Sequence, residues 1–242
     1  MSGSATLHQD GEVWTISLAR PEKRNALSSP LVEELIDLVE RAPAAGAKVL
    51  VLRGEGKSFS AGFDFSDVEQ QTEGDLVLRF VRLEMLLQAI GSSPCLTVAL
   101  AHGRTFGAGV DIVASCRQRY ATADSSFRMP GLKFGLVLGT RRFGEIVGRE
   151  RALALQAEAA TFDAPHALRL NFLHGVVEQP EWPSVVERAR ETAAALPEWS
   201  RNALYEVLSS READTDLAWL VRSAARPGLK QRIADYLRPQ EK

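Results

Sequence analysis

Apolar runs of strand length alternate with helical stripes along the first two-thirds of the chain, and only the helical kind continues beyond. Val13-Trp14-Thr15-Ile16-Ser17-Leu18 reads as a first strand, ended by Arg20-Pro21. Ser29-Pro30 supplies a helix N-cap and a proline at the first helical position, and Leu31, Leu35 and Leu38 follow on one face. Residues 48–53 predict a second strand leading into the loop 54–64, and residues 76–90 predict a core helix with Phe80, Leu83 and Leu87 on its apolar side. Residues 96–100 are almost continuously apolar, the mark of a strand buried on both faces. From Trp182 onward the pattern predicts helices only, over 182–196, 200–209, 214–225 and 229–237. Alternating strands and helices imply an α/β architecture, with a core over 1–180 and a helical segment over 181–242.

A chain of 242 residues is long enough to bury a full core. Its 45% hydrophobic and 25% charged content is that of an ordinary globular protein. A net charge of −2 gives no reason to invoke nucleic acid or an anionic membrane surface. Cys95 and Cys116, the two cysteines, both lie in apolar patterns, which argues against a disulfide framework or a zinc site. Residues 1–6 lack a basic start and a long apolar run, and no stretch reaches the ~18 apolar residues of a membrane span. The expected location is cytoplasmic, with no membrane partner and no bound metal.

The chemistry is concentrated in two segments, Phe59-Ser60-Ala61-Gly62-Phe63-Asp64 and His102-Gly103-Arg104-Thr105-Phe106-Gly107-Ala108-Gly109-Val110-Asp111. Each follows an apolar run and opens into small residues and a helical pattern. Small residues let the backbone approach a ligand, and a fresh helix start leaves N–H groups without partners. Two such N–H groups aimed at one point make a site for a developing oxyanion. The alternative is a pair of ordinary strand–glycine–helix junctions.

Together with Arg20-Pro21-Glu22-Lys23-Arg24-Asn25-Ala26-Leu27 and Phe127-Arg128-Met129-Pro130-Gly131…Phe134-Gly135-Leu136, these segments resemble the motifs of the crotonase family, the enoyl-CoA hydratase/isomerase superfamily. The resemblance runs from about Gly11 to Val177, with an echo at residues 227–232. It implies a spiral of ββα units followed by a helical segment that packs subunits into a homotrimer or hexamer. It also implies an acyl-CoA ligand, with coenzyme A as part of the substrate and no other cofactor. The oxyanion N–H groups map onto Phe63 and Ala108, and Ala108 can serve if its backbone needs no positive φ. Lys23, Arg24 and Ala26 (with Asn25) map onto the coenzyme A loop. Ala61, Asp64, Gly107, Gly131 and Phe134 complete the substrate site, Asp64 more as an Asx-type cap of its own loop than as a titrating group.

Hydratases of the family use two glutamates. The first maps onto Asp111, one methylene shorter, and the second onto Gly131, which has no side chain. The dienoyl-CoA isomerase branch also has Asp at the first position, but its further carboxylates fall at Gly131 and in a turn that is shorter here, at Gly139-Thr140-Arg141-Arg142. The expected enzyme is therefore a double-bond isomerase that uses Asp111. The alternatives are an acyl-CoA-binding or scaffolding protein, or a hydrolase or decarboxylase in which Arg128, Arg141 or Arg142 holds an acidic acyl group. Asp111 could instead only complement a helix dipole. His102 is expected to be structural, His166 and His174 suggest nothing, and Lys230 and Arg232 could reach a neighbour's CoA phosphate.

Overall fold

A computed structural model describes residues 4–209 and 212–238. The three expected strands form where the apolar runs lie, as β2 (Val13–Leu18), β3 (Val49–Gly54) and β4 (Leu96–Ala101), and they pair into one sheet with three that were not expected, β1 (Ala5–Asp10), β6 (Gln118–Ala121) and β9 (Gly175–Val176). β1 and β2 form an antiparallel hairpin, and every later pairing in this sheet is parallel. Parallel strands are covered on both faces, which is why β4 is apolar at almost every position and buried throughout. Three short strands, β5 (Arg104–Phe106), β7 (Ser126–Arg128) and β8 (Phe162–Asp163), make a second sheet that the apolar pattern did not announce.

α1 (Ser29–Arg41) packs on β1 and β2 of the main sheet, and α2 (Glu73–Ser92) packs beside α1. Leu31, Leu35 and Leu38 of α1 are buried, as are Phe80, Leu83 and Leu87 of α2. Ser29 is not the cap expected: the extended residue before α1 is Ser28, whose side chain makes no capping bond. α2 instead carries a full capping box, with Thr72 accepting from the Asp75 N–H and Asp75 accepting from the Thr72 N–H. α3 (Ala108–Ser115) follows β5, and α4 (Thr140–Val147), α5 (Arg149–Glu158) and α6 (Ala164–Arg169) complete the core.

The C-terminal pattern forms the four helices expected, α7 (Trp182–Ala194), α8 (Glu198–Leu208), α9 (Ala213–Ala224) and α10 (Leu229–Leu237). α9 packs on α2, and α10 on α2 and on the turn at Gly131–Phe134, so the helical segment closes over the middle of the chain. Cys95 and Cys116 are buried and unpaired. No helix among the described residues is long and apolar enough to cross a membrane.

Candidate active site

The two glycine-rich segments meet through their backbones. Gly62 (φ +84°) lies so close to the second segment that a Cβ there would sit 2.5 Å from the Phe106 carbonyl oxygen and 3.2 Å from the Ala108 nitrogen. Any larger residue would push the loops apart. Phe106 donates its N–H to the Ser60 carbonyl (2.9 Å), and Gly107 donates to Arg128 (2.8 Å). These bonds leave the next N–H in each segment uncommitted: neither Phe63 nor Ala108 donates to another group among the described residues. Ala108 is not among the residues with positive φ, so alanine meets the backbone requirement there. The Phe63 ring is packed, stacked on Phe80 at 4.3 Å with the Arg79 guanidinium 4.1 Å above it, which fixes the peptide that carries its N–H.

Both residues line a cavity of about 120 Å³ together with Ala61, Gly107, Gly131 and Phe134. Phe65, Phe80, Tyr236 and Gln156 also line it and were not foreseen in the sequence. Tyr236 arrives from α10, packing against Phe134 with ring centroids 5.2 Å apart. Its motif gives no hint of this, because only tertiary packing brings α10 over the cavity.

Asp111 is the one carboxyl in the wall among the described residues. It lies in the first turn of α3, is 3% exposed, and its Oδ1 is enclosed without a hydrogen-bond partner. Burial pushes its carboxyl well above the ordinary carboxylate range; the nearby Arg142 works against that and Glu84 reinforces it. A dipole-complementing surface Asp would be exposed and ionised, whereas Asp111 is buried where its charged form is disfavoured. Gly139 (φ +62°) packs directly on the carboxyl, where a Cβ would come within 1.9 Å of Oδ1. Gly131 opens on the cavity, and a Cβ there would press on the Leu136 carbonyl oxygen at 3.2 Å.

The early loop, residues 20–27, is tied to the loop of residues 59–64 by a polar network. Asn25 is fully buried, with its amide donating to the carbonyls of Glu55 and Ser58, both at 2.8 Å. Arg20 donates to Asp64 Oδ2 (2.8 Å) and to the Ala26 carbonyl (2.5 Å). Asp64 also caps its own loop through the Ser66 N–H at 3.0 Å. Burial raises the Asp64 carboxyl, but the Ser66 and Arg20 hydrogen bonds outweigh it and hold the group below the ordinary range. Asp64 thus shapes the loop without lining the cavity, and the Asn25 backbone is committed, its N–H to Arg20 and its carbonyl to the Ser60 hydroxyl. Lys23 and Arg24 remain exposed beside it, without an ion pair among the described residues.

Several charged residues are engaged elsewhere. Arg128 donates to the Ala159 carbonyl (2.9 Å), Arg141 holds Asp216, and Arg142 pairs with Glu84, so none of them lines the cavity. Lys230 donates to the Glu69 carbonyl (3.0 Å), and Arg232 donates to the Phe134 carbonyl (3.1 Å), pinning α10 to the cavity wall. His102 is buried, bonded to the Gly56 carbonyl and packed near Trp182, a structural position. Among the described residues no cluster of His, Cys, Asp and Glu could hold a metal ion.

Two free N–H groups and an enclosed carboxyl on one apolar cavity are what an enzyme needs to stabilise an oxyanion while moving a proton beside it. The profile of the enoyl-CoA hydratase/isomerase family matches residues 8–233, and the chain belongs to that family. It resembles a Bordetella parapertussis crystal structure described as an enoyl-CoA hydratase/isomerase, at 53% identity, a TM-score of 0.96, and coverage of 98% of this chain and 100% of that one. The protein named probable enoyl-CoA hydratase echA6 in Mycobacterium tuberculosis is 35% identical over 182 residues, 73% of each chain. A Thermobifida fusca YX protein described as an enoyl-CoA hydratase, solved with acetoacetyl-CoA, is 27% identical over 96% of each chain with a TM-score of 0.77. The fold is that of the crotonases.

Gly139 offers a test of this geometry. Gly139→Ala combines a left-handed alanine with overlap on Asp111, and should destabilise the fold by about 2 kcal/mol or more in urea unfolding. Gly228→Ala, also in the left-handed region but with nothing within 4 Å, should lose only the backbone share. Equal losses in the two variants would contradict the contact.

Proposed function

We propose that the protein binds an acyl-CoA thioester and isomerises a carbon–carbon double bond, with Asp111 moving the proton. The observation that carries this reading is the asymmetry of the cavity wall: an enclosed carboxyl at Asp111 and only hydrogen at Gly131. The thioester oxygen would sit on the N–H groups of Phe63 and Ala108, whose combined hydrogen bonds favour the enolate; each such donor can contribute ~3–4 kcal/mol. Asp111 takes a proton from one carbon of the acyl chain and returns it to another. Hydration needs a second group to hold and deprotonate water, and position 131 supplies none. The arginines that would secure a carboxylated acyl group lie outside the wall, which leaves an uncharged, apolar acyl group as the better fit. Lys23 and Arg24 are placed to meet the phosphates of the nucleotide, the 20–27 loop carries the coenzyme, and the site asks for no further cofactor.

Incubation with several acyl-CoAs in deuterated water, read by mass spectrometry, tests the chemistry. Deuterium is expected at the α or γ carbon with the wild type and not with Asp111→Asn, whose acyl-CoA affinity should stay within a few fold. Asp111 works as a base only when ionised, and burial raises its value, so exchange should fall as pH drops through a midpoint well above the ordinary carboxylate range. Exchange that persists in Asp111→Asn would assign the base elsewhere. Absence of exchange from the wild type with every acyl-CoA would favour the binding-protein reading. In the same samples crotonyl-CoA hydration should stay far below the ~10 s⁻¹ typical of enzymes.

The same ionisation predicts a stability effect. A carboxyl whose value is raised on folding contributes stability below its unfolded value and loses it as pH rises through the folded one. Urea titrations should therefore show wild-type stability falling through that window relative to Asp111→Asn, and parallel curves would contradict the enclosed carboxyl.

The C-terminal helices expose Trp199, Leu204, Val207 and Leu208 on α8 and Trp219 on α9. We propose that neighbouring subunits cover these side chains in a trimer or a dimer of trimers. Light scattering at micromolar concentration should give that mass, and a monomer would count against it.

A further inference from the structure

Arg79 of α2 lies outside the motif segments, yet its guanidinium is engaged by the loop that carries the Phe63 N–H. Its central carbon sits 4.1 Å from the centroid of the Phe63 ring, and its Nη2 donates to the Asp64 carbonyl (2.8 Å). Its Nη1 donates to Gln71 Oε1 (3.1 Å). The side chain is half-buried, and burial pulls its pKa below the ordinary arginine value while the Asp64 and Asp67 charges work against that. A guanidinium taken partly out of water for a ring, a carbonyl and an amide oxygen calls for a reason.

The backbone on either side of Phe63 is already held. The Gly62 carbonyl accepts from the Leu27 N–H (2.8 Å), and the Asp64 N–H donates to the Leu27 carbonyl (3.3 Å). What remains free to move the peptide is the Phe63 side chain, and it has somewhere to go. Phe63 and Leu83 line both the catalytic cavity and a second cavity of about 90 Å³, whose wall also includes Arg79 and Arg82. A side chain beside empty space lacks packing partners on that side and gains them by turning into it. Phe80 stacks on the ring at 4.3 Å, but it lines only the first of the two cavities. Arg82 is drawn to α1, where its Nε donates to Glu33 Oε1 (2.7 Å). Arg79 is therefore the side chain in the wall of the second cavity that both lies over the ring and bonds the loop backbone.

We propose that Arg79 is a positioning residue for the Phe63 N–H: by covering the ring and holding the Asp64 carbonyl, it keeps the ring out of the second cavity and the N–H aimed at the thioester oxygen. The inference rests on the reading of that N–H as an oxyanion donor. Among the described residues Arg79 does not line the catalytic cavity, so it acts through Phe63 and not on the substrate. Displacing the donor should weaken the transition state more than binding, because negative charge gathers on the oxygen only as the enolate forms.

The probe is butyryl-CoA carrying ¹³C at the thioester carbonyl, bound to the full chain. Three quantities are read: the bound carbonyl signal by NMR, deuterium exchange at the α carbon, and affinity by calorimetry. In the wild type the carbonyl signal should lie downfield of the free thioester. In Arg79→Met, which keeps bulk and loses charge and donors, it should move back toward the free position. Exchange should fall by about tenfold or more with affinity within about threefold. Arg79→Lys should recover most of both losses, and Arg82→Met, on the same cavity but off the ring, should match the wild type. A merely structural role would lower urea stability and leave the carbonyl signal where it is, and that result would overturn the proposal, as would equal losses in Arg82→Met. If Arg79→Met does not fold, Arg79→Gln takes its place with the same expectations. Where exchange is too slow to measure, the carbonyl signal decides, since it needs no turnover. A wild-type signal at the free position would remove the oxyanion reading and this proposal with it. A displaced wild-type signal that Arg79→Met leaves unmoved would remove the proposal alone.

Discussion

The backbone contact between Gly62 and the Phe106–Ala108 segment is the constraint on which the site depends. Two peptide N–H groups can be aimed at one point only if the loops carrying them touch without side chains between, and the left-handed glycine makes that possible. Everything around it holds the contact in place. Ser60 accepts from Phe106, Arg128 accepts from Gly107, and the parallel bridge from Leu27 to Phe63 adds the early loop as a third layer. The buried Asn25 and the Arg20–Asp64 pair lock that layer, so the loop proposed to carry the coenzyme and the loop proposed to hold the oxyanion move as one piece.

Asp111 is the second fixed point, and its position is a consequence of the first. The same glycine turn that frees the Ala108 N–H starts α3, and three residues later the helix delivers a carboxyl into an apolar wall. Enclosure by Gly139, Leu138 and the aromatic side chains removes water from it, which makes the carboxylate a strong base but a costly one. An enclosed carboxyl kept at a cost in stability is the pattern expected of a site under functional constraint.

Much of this was legible in the sequence, for physical reasons. β2, β3 and β4 are apolar runs because the strands are buried, and α10 falls on the residues where the helical pattern put it. β5, β7 and β8 escaped because two or three residues carry no periodicity. Phe63, Ala108 and Asp111 were reached through motif order, whereas Tyr236 depends on how α10 folds back. Glu84 did leave a trace: it stands four residues after Phe80 and three before Leu87, a charged residue inside the apolar stripe of α2. Such a residue is either a packing fault or has a buried partner, and its partner Arg142 lies 58 positions away. The arginines, expected to be paired rather than to face an acyl group, are so: Arg128 with the Ala159 carbonyl, Arg141 with Asp216 and Arg142 with Glu84.

The account stands or falls on whether the two free N–H groups act together on a thioester oxygen. Infrared difference spectroscopy of a bound acyl-CoA, with ¹³C at the thioester carbonyl to isolate its band, measures that polarisation directly. The account predicts a carbonyl stretch displaced to lower frequency relative to the same thioester in water, and still displaced in Asp111→Asn, because the donors are backbone groups. A bound thioester whose carbonyl band matches that in water would contradict it.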